Sequence, residues 1–267
     1  MAAPPKWIRR PSGTESISKV SKPGTVKVLS FLGLVLLWHA GALWMGNQHL
    51  FPGPVIVFHA FAEECRHGVL AHHLLATLFR VAASFVIAMV IGTAIGLAMG
   101  RSRIVDSVFD GWLIFFLNLP ALVVIVLAFV WFGLTEAAAI GAVAVNKIPS
   151  VVATVREGAR ALDRSLIEMA QVYRLGWFRT LIRVVLPQLV PYFLVATRTG
   201  LSLIWKIVLV VEMLGRSDGV GFQIHTYFQL FDVARILAYS LSFIAVVQAL
   251  ETFLIAPLER HLTGWRR

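Results

Sequence analysis

Of the 267 residues, 58% are hydrophobic and only 14% charged, with eight Trp, eighteen Phe and a mean hydropathy of +0.79. A soluble domain of this length carries about 25% charged residues, so the composition excludes an ordinary water-soluble globule and points to a membrane protein. The formal net charge of +10 admits either nucleic acid or a lipid surface as a partner, and the placement of the charges decides between them.

Residues 1–27 mix basic residues with Pro, Ser and Gly and lack the regions of a secretory signal. They read as a mobile cytoplasmic tail, with little apolar surface to offset ordering. Residues 28–45 form the first apolar stretch, close to the shortest length that crosses a hydrocarbon core. Gly46, Asn47 and the FPGP run at Phe51 to Pro54 read as a turn on the far side. Beyond it, His67, His72 and His73 do not share a helical face, and Glu63 with His67 supplies two metal ligands at most. They are expected on a polar external surface. The single Cys65 precludes an intrachain disulfide and is read as a buried or harmless loop thiol.

Residues 81–99 are uncharged, and a turn follows at Arg101 to Arg103. Gly92, Gly96 and Gly100 repeat every fourth position, leaving one helix face that another helix can approach closely. Residues 112–134 contain Asn118 and Pro120. The proline removes an amide donor, so this element is expected to be bent or split, either as a pathway element or as a structural bend. Residues 137–155 form a fourth stretch, interrupted by Asn146, Lys147 and Pro149. Residues 190–213 carry Arg198 and Lys206, and residues 236–257 carry Gln248 and Glu251. The expected fold is an all-α, polytopic membrane helix bundle, with about six transmembrane helices in residues 28–267 and both termini on one side.

With the amino terminus inside, the tail, the Arg101 turn, residues 156–183 and the carboxyl end hold 17 of the 24 Lys and Arg against seven acids. The remaining segments carry seven of each, so the whole basic excess lies on one face, as expected of a cytoplasmic side. Nucleic acid binding requires no such segregation and is set aside.

Between the fourth and fifth stretches lies a polar, basic island, a loop of about residues 157–188. Asp163 or Ser165 suits a helix amino terminus, and Ser165 with Glu168 fits a reciprocal capping pair. Leu162, Leu166, Met169 and Tyr173 form a short apolar stripe opposite Arg164, Glu168, Gln171 and Arg174. Gly176 offers a turn, and a second short helix, residues 177–185, is expected to stop before Leu186 and Pro187. Pattern alone leaves two readings, a surface loop packed on its own membrane domain or a knob onto which a partner docks.

The island resembles the "EAA" signature of ABC importer permeases through Glu168-Met169-Ala170 and the downstream Leu186-Pro187. FPGP at Phe51, TLFRVAASF from Thr77, MGRSRIVDSVFD from Met99, LNLPALVVIVLAFVWFGL from Leu117 and TRTGLSLIWKIVLVVEMLG from Thr197 resemble the permeases of the nitrate, sulfonate, taurine and bicarbonate importer group. Two positions depart from the signature. Met169 replaces the middle alanine, and the signature glycine falls on Arg174, with Gly176 two places later, implying a longer first helix or a different turn.

The resemblance implies a non-catalytic permease subunit in the bacterial inner membrane, paired with a second permease, commonly a second copy. Two cytoplasmic ATPases would bind Mg-ATP, and an external or periplasmic binding protein would deliver a small anion. The coupling residues would be Glu168, Met169, Ala170, Arg174, Gly176, Leu186 and Pro187. This chain has no GxxxxGK[ST] phosphate loop and is expected to bind no cofactor or metal of its own. Asn118, Pro120, Lys147, Arg198 and Lys206 are the candidate pathway residues. Arg80, Lys147, Arg198 and Lys206 lie in or beside apolar spans, where a charge pairs with an acid such as Glu212 or Glu251, snorkels, or lines a path. Competing readings are a permease for an organic solute such as a thiamine pyrimidine precursor, and a self-contained channel or secondary carrier. A membrane enzyme is disfavoured by the lack of HExxH, GxSxG or usefully spaced paired carboxylates.

Overall fold

The computed structural model describes residues 23–257 and 260, all helical or connecting. Residues 1–22 of the expected tail lie outside the described residues, whereas residues 23–27 open the first helix. The chain divides into two compact units, residues 1–54 and residues 55–267.

In the first unit, α1 (Pro23–Met45) is long and apolar enough to cross a membrane and stops at Gly46, which takes φ +64°. The expected turn follows. The side-chain oxygen of Asn47 accepts from the amides of His49 and Leu50 at 3.1 and 3.3 Å, and the Trp38 indole donates to the Pro52 carbonyl at 3.1 Å. These bonds return the FPGP run alongside α1.

In the second unit, α2 (Pro54–Arg66) leads to α3 (Val69–Arg101), α4 (Arg103–Asn118), α5 (Ala121–Phe132) and α6 (Glu136–Arg160). The glycine stripe of α3 lies against α6. A Cβ on Gly92 would fall 2.7 Å from Val151, on Gly96 2.9 Å from the Val152 carbonyl and on Gly100 2.5 Å from Ala159. Those pairings advance together, so α3 and α6 run parallel. The chain between them must therefore return along the bundle, and α4 with α5 makes that return. The two are bent by 95° at Leu119–Pro120, where the missing proline amide breaks the ladder. The α4–α5 pair is thus a broken crossing, as residues 112–134 predicted.

After α7 (Arg164–Val172), α8 (Trp177–Thr180), a π turn over Leu181–Val185 and α9 (Leu186–Gly215) form one continuous 39-residue helix. The expected stop before Pro187 does not occur. The Leu186 amide reaches back to the Leu181 carbonyl, and this wider turn just before Pro187 shifts the ladder instead of ending it. α9 runs antiparallel to α6, with Gly158 at Leu189 and Tyr192 and Gly200 at Lys147. α10 (Val220–Gln229) and α11 (Val233–Leu250), the latter extended by a π turn over Glu251–Ile255, complete the unit. Ile125, Val143, Val151, Ile204, Val208 and Val211 form its interior. Counting the bent pair once, the described residues hold up to six membrane-crossing segments.

The short helices α2 and α10 were not expected, and of the three histidines expected on an exposed surface His67 and His72 are exposed whereas His73 is not. His73 is buried and its Nδ1 accepts from the Gly219 amide at 2.9 Å. Glu64 of α2 accepts from the hydroxyls of Tyr227 (2.9 Å) and Tyr239 (2.8 Å), fastening α2 to α10 and α11. Burial, together with the negative Glu64 carboxylate that accepts its hydrogen bond, pushes the Tyr227 hydroxyl up to about 12. Cys65 lies exposed on α2.

Candidate functional site: the α7 cap and the cationic face of α9

α7 begins at Asp163, whose carboxylate accepts from the Ser165 amide (2.9 Å) and hydroxyl (2.7 Å). Those two donors hold the Asp163 carboxyl below the usual range. Ser165 is thus a donor to the cap, and the capping pair of Ser165 with Glu168 does not form. The Asp163 amide donates to the Gln188 side chain of α9 at 2.8 Å, which ties the start of α7 to the long helix.

The carboxyl end of α7 closes through Arg174, which takes φ +50°. The Arg174 amide bonds the Gln171 carbonyl and the Leu175 amide bonds the Ala170 carbonyl, both at 2.9 Å. This pair of bonds is the Schellman closure that ordinarily calls for glycine at the left-handed position. The turn thus forms at Arg174 itself, and α7 does not run on past it. Gly176, expected to turn the chain, has φ −59° and stands at the start of α8.

The apolar stripe of α7 faces outward. Ala170 is buried and Glu168 is exposed, while Val172, Tyr173 and Trp177 are 80, 74 and 77% exposed. Met169, Leu186 and Phe178 are also exposed, and Pro187 is half-buried. Together they form an exposed apolar and aromatic surface, bordered by the exposed Glu168, Arg174 and Arg179.

The five pathway candidates fall in three places. Asn118 and Pro120 are exposed at the α4–α5 bend, where the Asn118 amide group donates to the Ile114 carbonyl at 2.8 Å. Lys147 is only 2% exposed, donates to the Ser150 hydroxyl at 2.8 Å and lies against Gly200 of α9. Arg198 and Lys206 come together on the exposed face of α9 with Ser202 between them. Their eight-residue separation is about 12 Å along a helix. They line a cavity of about 350 Å³ between α9 and α11, with Phe243, Gln248 and Glu251 opposite.

Arg80 resolves as an internal ion pair. Nε and Nη2 make a fork to Glu136 at 2.7 and 3.0 Å, Nη1 donates to Glu212 at 2.7 Å and to the Asp218 carbonyl at 2.9 Å, and Nη2 also reaches the Asp218 carboxylate. All five guanidinium donors are used. Glu212 is further held by the Thr77 hydroxyl and the Gly221 amide, each at 2.9 Å. Burial would raise the Asp218 carboxyl, but its bond from Arg80 outweighs that and holds it low. Sequence inspection named Arg80 and Glu212 and missed Glu136, Asp218 and Thr77. The available signal was the run GRSDGVG at Gly215 to Gly221. A Cβ on Gly219 would overlap the Glu212 carboxylate, so this loop wraps the acid only with glycine there.

The family described as "Binding-protein-dependent transport system inner membrane component" matches residues 88–256. The chain belongs to this family. It is a permease subunit of the ABC importer type, with no catalytic role of its own. It is 30% identical to a putative aliphatic sulfonates transport permease of Bacillus subtilis (strain 168), over 96% of this chain and 94% of that one. Identity to the taurine transport system permease of Escherichia coli (strain K12) is 26%, over 91% and 88% of the two chains. A solved inward-facing MetNI methionine ABC transporter chain superposes with a TM-score of 0.63 at 18% identity, covering 74% of this chain and 98% of that one. That last likeness concerns the fold. Among the described residues no group of three His, Cys, Asp or Glu could hold a metal.

Proposed function

We propose that this permease passes a small oxidised anion into the cytoplasm, a sulfonate such as taurine first, with nitrate and bicarbonate as the inorganic alternatives. The observation that carries this reading is the Arg198–Ser202–Lys206 stripe on the exposed face of α9. Two cations separated by a hydroxyl offer successive sites to an anionic group, and each is costly to hold at membrane depth unless it faces protein or a wet path. The names of the sulfonate and taurine permeases support the same substrate class.

The transport unit in this reading pairs the chain with a second permease copy, two cytoplasmic ATPases that hydrolyse Mg-ATP and an external binding protein. α7 lies at the cytoplasmic face, as do both termini, and Glu168, Met169 and Ala170 enter a groove of the ATPase. Closure of the ATPases then rotates α7 and the continuous helix from Trp177 to Gly215, to which Gln188 ties it, so one lever joins the docking face to Arg198 and Lys206. The pathway alternates between two states rather than reacting chemically.

The test is uptake by the complete importer in liposomes, with labelled taurine competed by ethanesulfonate, nitrate, bicarbonate or an uncharged pyrimidine. Competition by the anions alone, with Arg198→Ala losing more uptake than Arg198→Lys, is the expected result. Competition by the uncharged pyrimidine alone, or uptake indifferent to Arg198→Ala, would overturn it.

A further inference from the structure

Away from the α9 face, a cavity of about 690 Å³ opens between the α3–α4 turn, the end of α6 and the start of α7. Four arginines line it, Arg101, Arg103, Arg160 and Arg164, against one acid, Asp106. Asp106 is already engaged by Arg156 and Arg160. Among the described residues, the side chains of Arg101, Arg103 and Arg164 make no ion pair or hydrogen bond. The lining thus carries a net charge of about +3, uncompensated within the chain and concentrated in a concave space, which attracts an anion.

A second cavity, of about 340 Å³, shares Met99 with the first. Ile95, Phe109, Trp112, Leu113, Phe116 and Val152 line it, with no charged residue among its walls. From Arg103 to Phe116, α4 rises about 20 Å, so the apolar groove leads from the arginines toward the middle of the bundle. A charged pocket at a helix end, adjoining a charge-free groove across Met99 along membrane-crossing helices, has the two-part chemistry of a phospholipid.

We propose that this paired cavity holds an anionic phospholipid, its phosphate among Arg101, Arg103 and Arg164 and one acyl chain against Phe109, Trp112 and Phe116. A free anion would fill the pocket without using the groove, and a second protein chain would leave three arginines to find acids. The bound headgroup joins α7, through Arg164, to the α3–α4 turn. Each arginine near an anionic lipid surface changes affinity by about fivefold.

The full-length chain reconstituted in vesicles provides the test, read as quenching of tryptophan fluorescence by phosphatidylglycerol or phosphatidylcholine with brominated acyl chains. The signal lost in Trp112→Phe isolates the groove. Brominated phosphatidylglycerol is expected to quench that component at several-fold lower mole fraction than brominated phosphatidylcholine. Arg101→Gln and Arg103→Gln should each shrink the preference about fivefold, and Arg103→Lys should retain most of it. Equal quenching by the two lipids in the unsubstituted chain would overturn the proposal, with no variant needed. So would a Trp112 that neither lipid quenches, which would assign the groove to a protein surface, or a preference abolished by inorganic phosphate, which would assign the pocket to a free anion.

Discussion

Arg80 on α3 and Glu212 on α9 meet at 2.7 Å, with side chains 2% and 0% exposed. Arg80 also holds Glu136 and Asp218, both of which Arg216 reaches from the other side, so the cluster joins three acids from α6, α9 and the loop before α10. Removing one member of a buried pair costs about 3–5 kcal/mol, because its partners are left charged and uncompensated. Arg80→Met strands the buried Glu212 carboxylate and leaves Glu136 and Asp218 to Arg216 alone, whereas Glu212→Gln strands none and keeps some hydrogen bonds. Thermal melting of the detergent-solubilised chain should therefore show Arg80→Met as the more damaging change.

The same cluster has a pH signature at Asp218, which lies in the loop after α9. Its carboxyl is held below the ordinary value of 3.8. A depressed folded value means that stabilisation is complete above the unfolded value and is lost as pH falls through the folded one. Melting temperature should be unaffected by this group between pH 7 and pH 5 and fall below about pH 4. Asp218→Asn should remove that part of the acid dependence.

Gly96 faces the Val152 carbonyl and Val155, each 2.9 Å from where an added methyl group would stand, while Gly111 on α4 has open space around it. Gly96→Ala should push α3 from α6 and cost about 1–3 kcal/mol by overpacking. Gly111→Ala should instead be neutral or slightly stabilising, since alanine favours the helix. The comparison needs only the two melting curves.

At Arg174 the left-handed backbone costs an L-residue about 1–2 kcal/mol, part of which glycine would return in chain entropy. Arg174→Gly should stabilise the α7 turn by roughly 1 kcal/mol and slow proteolysis between α7 and α8. Arg174→Ala, with the same strain, should do neither.

These sites also mark what the sequence disclosed. The glycine spacing of Gly92, Gly96 and Gly100 correctly named a helix contact, because a missing side chain on one face has a single packing consequence. Pro120 correctly marked a bend. Pro187 did not mark an end, since a π turn placed just before it lets the helix continue through the missing amide. Arg174 concealed its turn, because residue preference points to Gly176 and only the backbone reveals which residue is left-handed. Glu136 and Asp218 were illegible as partners of Arg80, being 56 and 138 residues away in the chain, whereas Arg80 itself stood out as a charge at the edge of an apolar run. Lys147 stood out as a charge at mid-span, and its burial against Gly200 of α9 was not legible in the sequence. On the cap, the stripe of Met169 and Tyr173 was visible, but its outward direction was not.

In the proposed function, α7 is the element that receives the motion of an ATPase. The direct measurement is crosslinking from a photoreactive residue at position 168, in the intact importer during ATP-driven uptake. Adducts to the ATPase subunit, whose yield changes between nucleotide-bound and nucleotide-free states, are the expected result. Sustained uptake with adducts only to the external binding protein, or with none to the ATPase, would contradict it.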